Sequence, residues 1–160
     1  MKRWLYLDYD GCLHPSEVYI DPHRDAPYLV GPGSLFMWAP VLVQALAPYP
    51  RLEIVLSTSW ATHCGLARAK RYLPLELQSR VVGQSAPVGD SDRVARGIEV
   101  ENHVARNCPE AWIAVDDDDE GWSSSGRTHL VLCNPALGLG ECETFELLCE
   151  RLRALHDEVP

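Results

Sequence analysis

The sequence predicts an α/β fold, a three-layer α/β/α sandwich around a mostly parallel, Rossmann-like sheet with a minimal cap or none. Three observations carry that expectation. Four short apolar runs, at residues 4–7, 52–56, 112–115 and 130–133, have the length and composition of buried strands. Helix-like segments lie between and after them, and such alternation builds a parallel sheet covered on both faces. Three of the runs end in chemically loaded residues, as expected where an open α/β sheet binds ligands beyond the carboxyl ends of its strands.

In chain order, Trp4-Leu5-Tyr6-Leu7 leads into Asp8-Tyr9-Asp10-Gly11. Residues 14–34 hold Pro15, Pro22, Pro27, Gly31, Pro32 and Gly33, which predicts an irregular loop. A helix is expected over 35–46, and the second run then delivers Ser57, Thr58 and Ser59. Helices are expected around 66–72 and over 94–106, before the third run ends in Asp116-Asp117. In 141–156, Phe145, Leu148, Cys149, Leu152 and Leu155 recur at helical spacing, which predicts an apolar stripe lying on the sheet.

At 160 residues and 46% apolar composition, the chain reads as one domain over 1–160 with a core that needs no disulfides. Its six cysteines contain no C-x-x-C pair, and Met1-Lys2-Arg3 opens a short apolar run rather than a signal peptide; reduced thiols and a cytoplasmic location are expected. Cys12, His14, His63 and Cys64 lack the spacing of a zinc finger or ribbon. No segment approaches the roughly 20 apolar residues that span a bilayer, which excludes a membrane role. The net charge of −9 weighs against sequence-independent nucleic-acid binding, although the acids of residues 116–120 would be offset by a bound cation.

Asp8 and Asp10 stand two apart at a strand end, where extended backbone brings two carboxylates over one spot. At about 4 Å, like charges cost on the order of 4 kcal/mol at an effective dielectric near 20, so a cation or a proton is called for. Both suit phosphoryl transfer: a carboxylate attacks phosphorus while a neighbouring carboxylic acid protonates the leaving oxygen. Thr58 is the first choice among the hydroxyls for a phosphate contact, with Ser57 and Ser59 beside it. Asp116 and Asp117 are hard oxygen ligands suited to Mg²⁺. Arg96 is the expected phosphate-binding cation, with Lys70, Arg71 and Arg93 as alternatives.

Taken in order, these segments resemble the motifs of the haloacid dehalogenase (HAD) superfamily of phosphatases. Residues 5–11 match its hhhDxDG, 54–58 its hhh(S/T), Arg96 its single basic residue and 113–117 its hhhDD. The strings DYDGCLHP, LSTSW and AVDDDDEGW are also similar to the HAD domain of Swiss Army knife RNA repair proteins. The resemblance implies Asp8 as nucleophile and metal ligand, and Asp10 as general acid/base that also offers its carbonyl to metal. It further implies phosphate binding by Thr58, Ser59 and Arg96, and Mg²⁺ held with Asp116 and Asp117. Arginine at position 96 departs from the lysine more common there and would give a bidentate contact.

The expected activity is hydrolysis of a phosphomonoester, a small molecule or a nucleic-acid end, through an aspartyl phosphate at a nearly open site. A catalytically silent metal- or partner-binding domain is the alternative. A dehalogenase ranks last, because displacement at a carbon–halogen bond needs neither the metal nor the paired acid.

Overall fold

The computed structural model describes residues 2–87, 89 and 94–157. In chain order its strands and helices are β1 (Arg3–Leu7), β2 (Val18–Asp21), β3 (Ala26–Leu29), α1 (Ala39–Leu46), β4 (Glu53–Leu56), α2 (Ser59–Cys64), α3 (Leu66–Lys70), α4 (Leu75–Gln78), β5 (Val81–Gln84), α5 (Arg96–Asn107), β6 (Ala111–Asp116), β7 (Leu130–Leu132) and α6 (Cys142–Asp157). The strands β5-β4-β1-β6-β7 form one sheet in that order, every neighbouring pair parallel.

Central strands of a parallel sheet are buried on both faces, which is why β1, β4 and β6 read as unbroken apolar runs. Side chains alternate across the sheet. Leu5, Leu7, Ile54, Leu56, Ile113 and Val115 face one core, together with Leu42 and Leu46 of α1 and Leu148, Leu152 and Leu155 of α6. The short helices α2, α3 and α4 add Ala61, Ala69 and Leu77 to the same layer. Trp4, Tyr6, Val55 and Ala114 face the other way, against Val100 of α5 and Trp122 from the segment after β6. The sandwich is therefore lopsided, with α5 the helix of the thin layer among the described residues. Gly97 lets it seat closely, because a Cβ there would meet the backbone of Trp122.

Residues 14–34 correct the expectation of an irregular loop. They contain an antiparallel hairpin, β2 with β3, in the register Val18↔Leu29, Tyr19↔Tyr28, Ile20↔Pro27 and Asp21↔Ala26. Each strand of a two-stranded ribbon is an edge, so Pro27 fits without breaking a ladder on both sides. The expected helix over 35–46 forms from Ala39, after a turn, and the helix over 94–106 begins at Arg96. β5, α2 and α4 were not expected. Each is only four to six residues long, too short for periodicity to register.

The strand ends finish level, which places the site. Ser85 N–H donates to Leu56 O at 2.9 Å, Ser57 N–H to Leu7 O at 2.9 Å, Asp8 N–H to Val115 O at 3.0 Å and Cys133 N–H to Asp116 O at 2.8 Å. Asp8, Ser57, Ser85 and Asp116 thus close four adjacent ladders at one rim. Among the described residues, no helix is long and apolar enough to cross a membrane.

Candidate active site

Asp8 and Asp116 continue the side-chain parity of Tyr6 and Ala114, so both are directed to the face that carries α5. Asp117 follows at once. Asp8, Asp116 and Asp117 offer carboxylate oxygens that lie within 4.8 Å of one another, the one such grouping of potential ligand residues among the described residues. Cys12, His14, His63 and Cys64 form no comparable group. Gly11 makes room for this cluster: its φ is +73°, and a Cβ there would collide with the carboxylate of Asp117.

Three packed carboxylates repel, and burial compounds the cost. Burial pushes the Asp8 carboxyl up to about 7, with Asp10 and Asp117 adding to the rise while Arg96 and the Tyr9 N–H oppose it. Burial raises Asp117 to about 6, and burial with the charge of Asp8 lifts Asp116 well above the usual carboxylate range. Oδ2 of Asp116 is buried without a hydrogen-bond partner. Hard oxygen donors, an unsatisfied buried carboxylate oxygen and mutual repulsion together fit a small divalent cation.

Arg96, the first residue of α5, stands over this cluster. Its Nε is 3.4 Å from Asp116 Oδ2, and its Nη1 donates to Glu99 Oε1 at 3.0 Å and Oε2 at 3.1 Å. Ser85 Oγ also donates to Glu99, so the carboxylate that steers Arg96 is itself held. Burial disfavours the guanidinium charge, but Asp8, Glu99 and Asp116 outweigh it and raise the Arg96 pKa. Of the other expected cations, Lys70 and Arg71 sit at the end of α3, away from the residues lining the Asp8 cleft. Arg93 lies outside the described residues.

Asp10 is directed differently from the other three. Phe36 N–H donates to His14 Nδ1 at 3.1 Å, so the proton of the neutral imidazole sits on Nε2 and is donated to Asp10 Oδ1 at 2.9 Å. The Trp60 Nε1–H donates to the same oxygen at 3.0 Å. One carboxylate oxygen is anchored twice. Oδ2 is left to act. His14 is fully buried against Phe36 and Trp60, and its spacing of four from Asp10 was the available signal for this partnership.

The hydroxyls separate by environment. Thr58 is the N-cap of α2, with Oγ1 accepting from Trp60 N–H at 3.4 Å. Ser59 is exposed and lines the cleft beside Asp8. Ser57 Oγ is buried and has no hydrogen-bond partner. The cleft itself holds about 900 Å³ and runs along α5 from Arg96 past Asn102 to Arg106. Arg106 did not stand out in the sequence, although ten residues from Arg96 is close to three helical turns.

A family model described as the HAD domain in Swiss Army Knife RNA repair proteins matches residues 4–143 of the chain. No curated protein and no solved structure matches it.

Proposed function

The chain belongs to the family of HAD domains found in Swiss Army Knife RNA repair proteins, and from that premise we propose that it is a Mg²⁺-dependent phosphomonoester hydrolase. One observation carries the reading: a trio of carboxylates, the buried Asp8 and Asp116 with the half-buried Asp117, gathers beside the half-buried guanidinium of Arg96 at one rim of the sheet. A phosphoryl group held between a cation site and a fixed arginine meets the main requirement of its transfer, which is positioning and charge compensation.

An oxygen of Asp8 attacks phosphorus, the bond to the ester oxygen breaks, and the phosphoryl group passes to the carboxylate. Asp10 gives its proton to the departing alkoxide. It then takes a proton from the water that attacks the acyl phosphate, which releases phosphate and restores both aspartates. Asp8, Asp116 and Asp117, with the Asp10 carbonyl, would hold Mg²⁺, which would supply the charge neutralisation that keeps Asp8 ionised beside an anionic substrate. Arg96, beside Asp116, binds phosphoryl oxygens. The unsatisfied Oγ of Ser57 joins Thr58 and Ser59 as a phosphate donor, because a buried hydroxyl without a partner is costly unless a ligand completes it.

A nucleic-acid end agrees with the family description. The double anchoring of Asp10 supports an enzyme over a silent binding domain, since binding alone has no use for an oriented proton carrier.

The test is Mg²⁺-dependent release of phosphate from aryl and alkyl phosphates by wild type and Asp8→Asn. Turnover is expected to fall by about 10³-fold or more in the variant, as when the nucleophile of a covalent mechanism is lost. Full turnover by Asp8→Asn removes Asp8 as nucleophile.

A further inference from the structure

A second cavity, of about 240 Å³, opens beside Asp10 between the β2–β3 hairpin and helices α2 and α3. Asp10 lines this cavity and Asp8 lines the larger cleft; Ser59 and His63 line both, so the two spaces adjoin. In a displacement at phosphorus the attacking and leaving oxygens lie roughly in line. With attack from Asp8 and proton donation from Asp10, whatever hangs from the leaving oxygen is directed to the Asp10 side.

The chemistry of the cavity narrows what that group can be. The hairpin register sorts its residues, with Val18, Ile20 and Pro27 on the face that lines the cavity and Tyr19 and Tyr28 on the opposite face. Ile20 is 47% exposed, so this apolar face stays open to solvent above the proton donor instead of joining the core. Across from it stand Trp60 and Tyr72, edge to face with centroids 4.9 Å apart. The Trp60 ring is fixed by its bond to Asp10, and such an aromatic wall favours another ring. At about 240 Å³ the space falls below the roughly 300–1,000 Å³ of ordinary small-molecule sites, enough for one ring system. The rim is braced where Arg68 donates to Asp25 Oδ2 at 2.8 Å and to its carbonyl at 2.7 Å, tying the hairpin turn to α3.

We propose that this cavity is the leaving-group subsite, and that it selects phosphomonoesters whose alcohol carries one flat aromatic or heteroaromatic ring. The proposal rests on the hydrolase reading above and adds the substrate's chemical class. A nucleobase or a benzylic ring satisfies it equally.

Two substrate pairs distinguish these sources: benzyl phosphate against ethyl phosphate, and a 5′-nucleoside monophosphate against ribose 5-phosphate. Wild type is expected to prefer the ring-bearing member of at least one pair by about tenfold or more in kcat/KM, the scale of apolar-pocket discrimination. Ile20→Asp, which charges the apolar wall, and Val18→Trp, which fills the cavity, are expected to erase that preference and leave the ringless rates unchanged. Equal kcat/KM within both pairs, or a preference that survives both variants, overturns the proposal. Benzylphosphonate binding, followed by calorimetry, separates this result from failure of the hydrolase reading. Binding by wild type but not by Ile20→Asp, with no phosphate released from any ester, upholds the ring subsite and removes the hydrolase; absence of both binding and turnover removes both.

Discussion

The Nε of Arg96 lies 3.4 Å from Oδ2 of Asp116, a buried carboxylate oxygen that no hydrogen bond satisfies. Both groups line the cleft that Asp8 also lines, so the cation from α5 and the acid from β6 meet beside the proposed nucleophile.

Arg96→Ala is expected to lower kcat/KM by about 10²–10³-fold, the usual consequence of removing a preorganised donor to a reacting oxyanion. Arg96→Lys should recover part of the loss, because an ammonium restores charge but not the two-pronged contact. Steady-state kinetics decides this. Wild-type kcat/KM in Arg96→Ala would remove Arg96 as the phosphate-binding cation.

Ser57 and Thr58 should respond in opposite ways. Deleting an unsatisfied buried hydroxyl removes a desolvation cost, so Ser57→Ala is expected to match or exceed wild type in Tm while losing about tenfold or more in kcat/KM. Thr58→Ala removes the N-cap of α2 and should cost about 1 kcal/mol of stability. Thermal melts and kinetics on the same samples test the pair; full activity in Ser57→Ala excludes it from phosphate binding.

Trp60→Phe keeps the aromatic wall but deletes one of the two donors to Asp10 Oδ1. A poorly oriented general acid matters most when the leaving oxygen is basic. The variant is therefore expected to lose about tenfold in kcat on alkyl phosphates and little on p-nitrophenyl phosphate. Equal losses on both substrates would show that Trp60 serves packing rather than proton delivery.

The stability of the metal-free protein should fall with rising pH. Asp117 is raised to about 6 and Asp8 to about 7, against roughly 3.9 for an unfolded aspartate. Between those values the folded protein keeps protons that the unfolded chain has released, so the slope of stability against pH is negative. The contribution is complete below the unfolded value and is lost as pH passes through 6 to 7. Calorimetry in chelator should show Tm decreasing from pH 5 to pH 8, and added Mg²⁺ should raise Tm more at pH 8 than at pH 5. A Tm gain from Mg²⁺ that is the same at both pH values would remove these aspartates as its ligands.

Much of the scaffold was legible because a central parallel strand must be apolar on both faces. Leu5-Tyr6-Leu7 and Ile113-Ala114-Val115 could be read as strands without a partner in view, and Asp8 and Asp116 then marked their ends. The stripe of Leu148, Leu152 and Leu155 was equally plain, since one helix face carries it whatever it packs against. The β2–β3 hairpin was hidden. Its strands are half-exposed, contain Pro27 and sit among prolines and glycines, so local chemistry reads as a loop.

The sequence by itself determined the order of the four apolar strands and the longer helices, the acidic residues at the strand ends and the candidacy of Arg96, because each follows from local composition and alternation. Tertiary structure decided which hydroxyl is left unsatisfied, which carboxylates converge and what holds Asp10. Those depend on distances between segments far apart in the chain: Trp60 reaches Asp10 across 50 residues, and Arg96 reaches Asp116 from a different element. Hydrogen bonding and desolvation act through space over a few ångströms, so they become definite only once the sheet has brought its strand ends level.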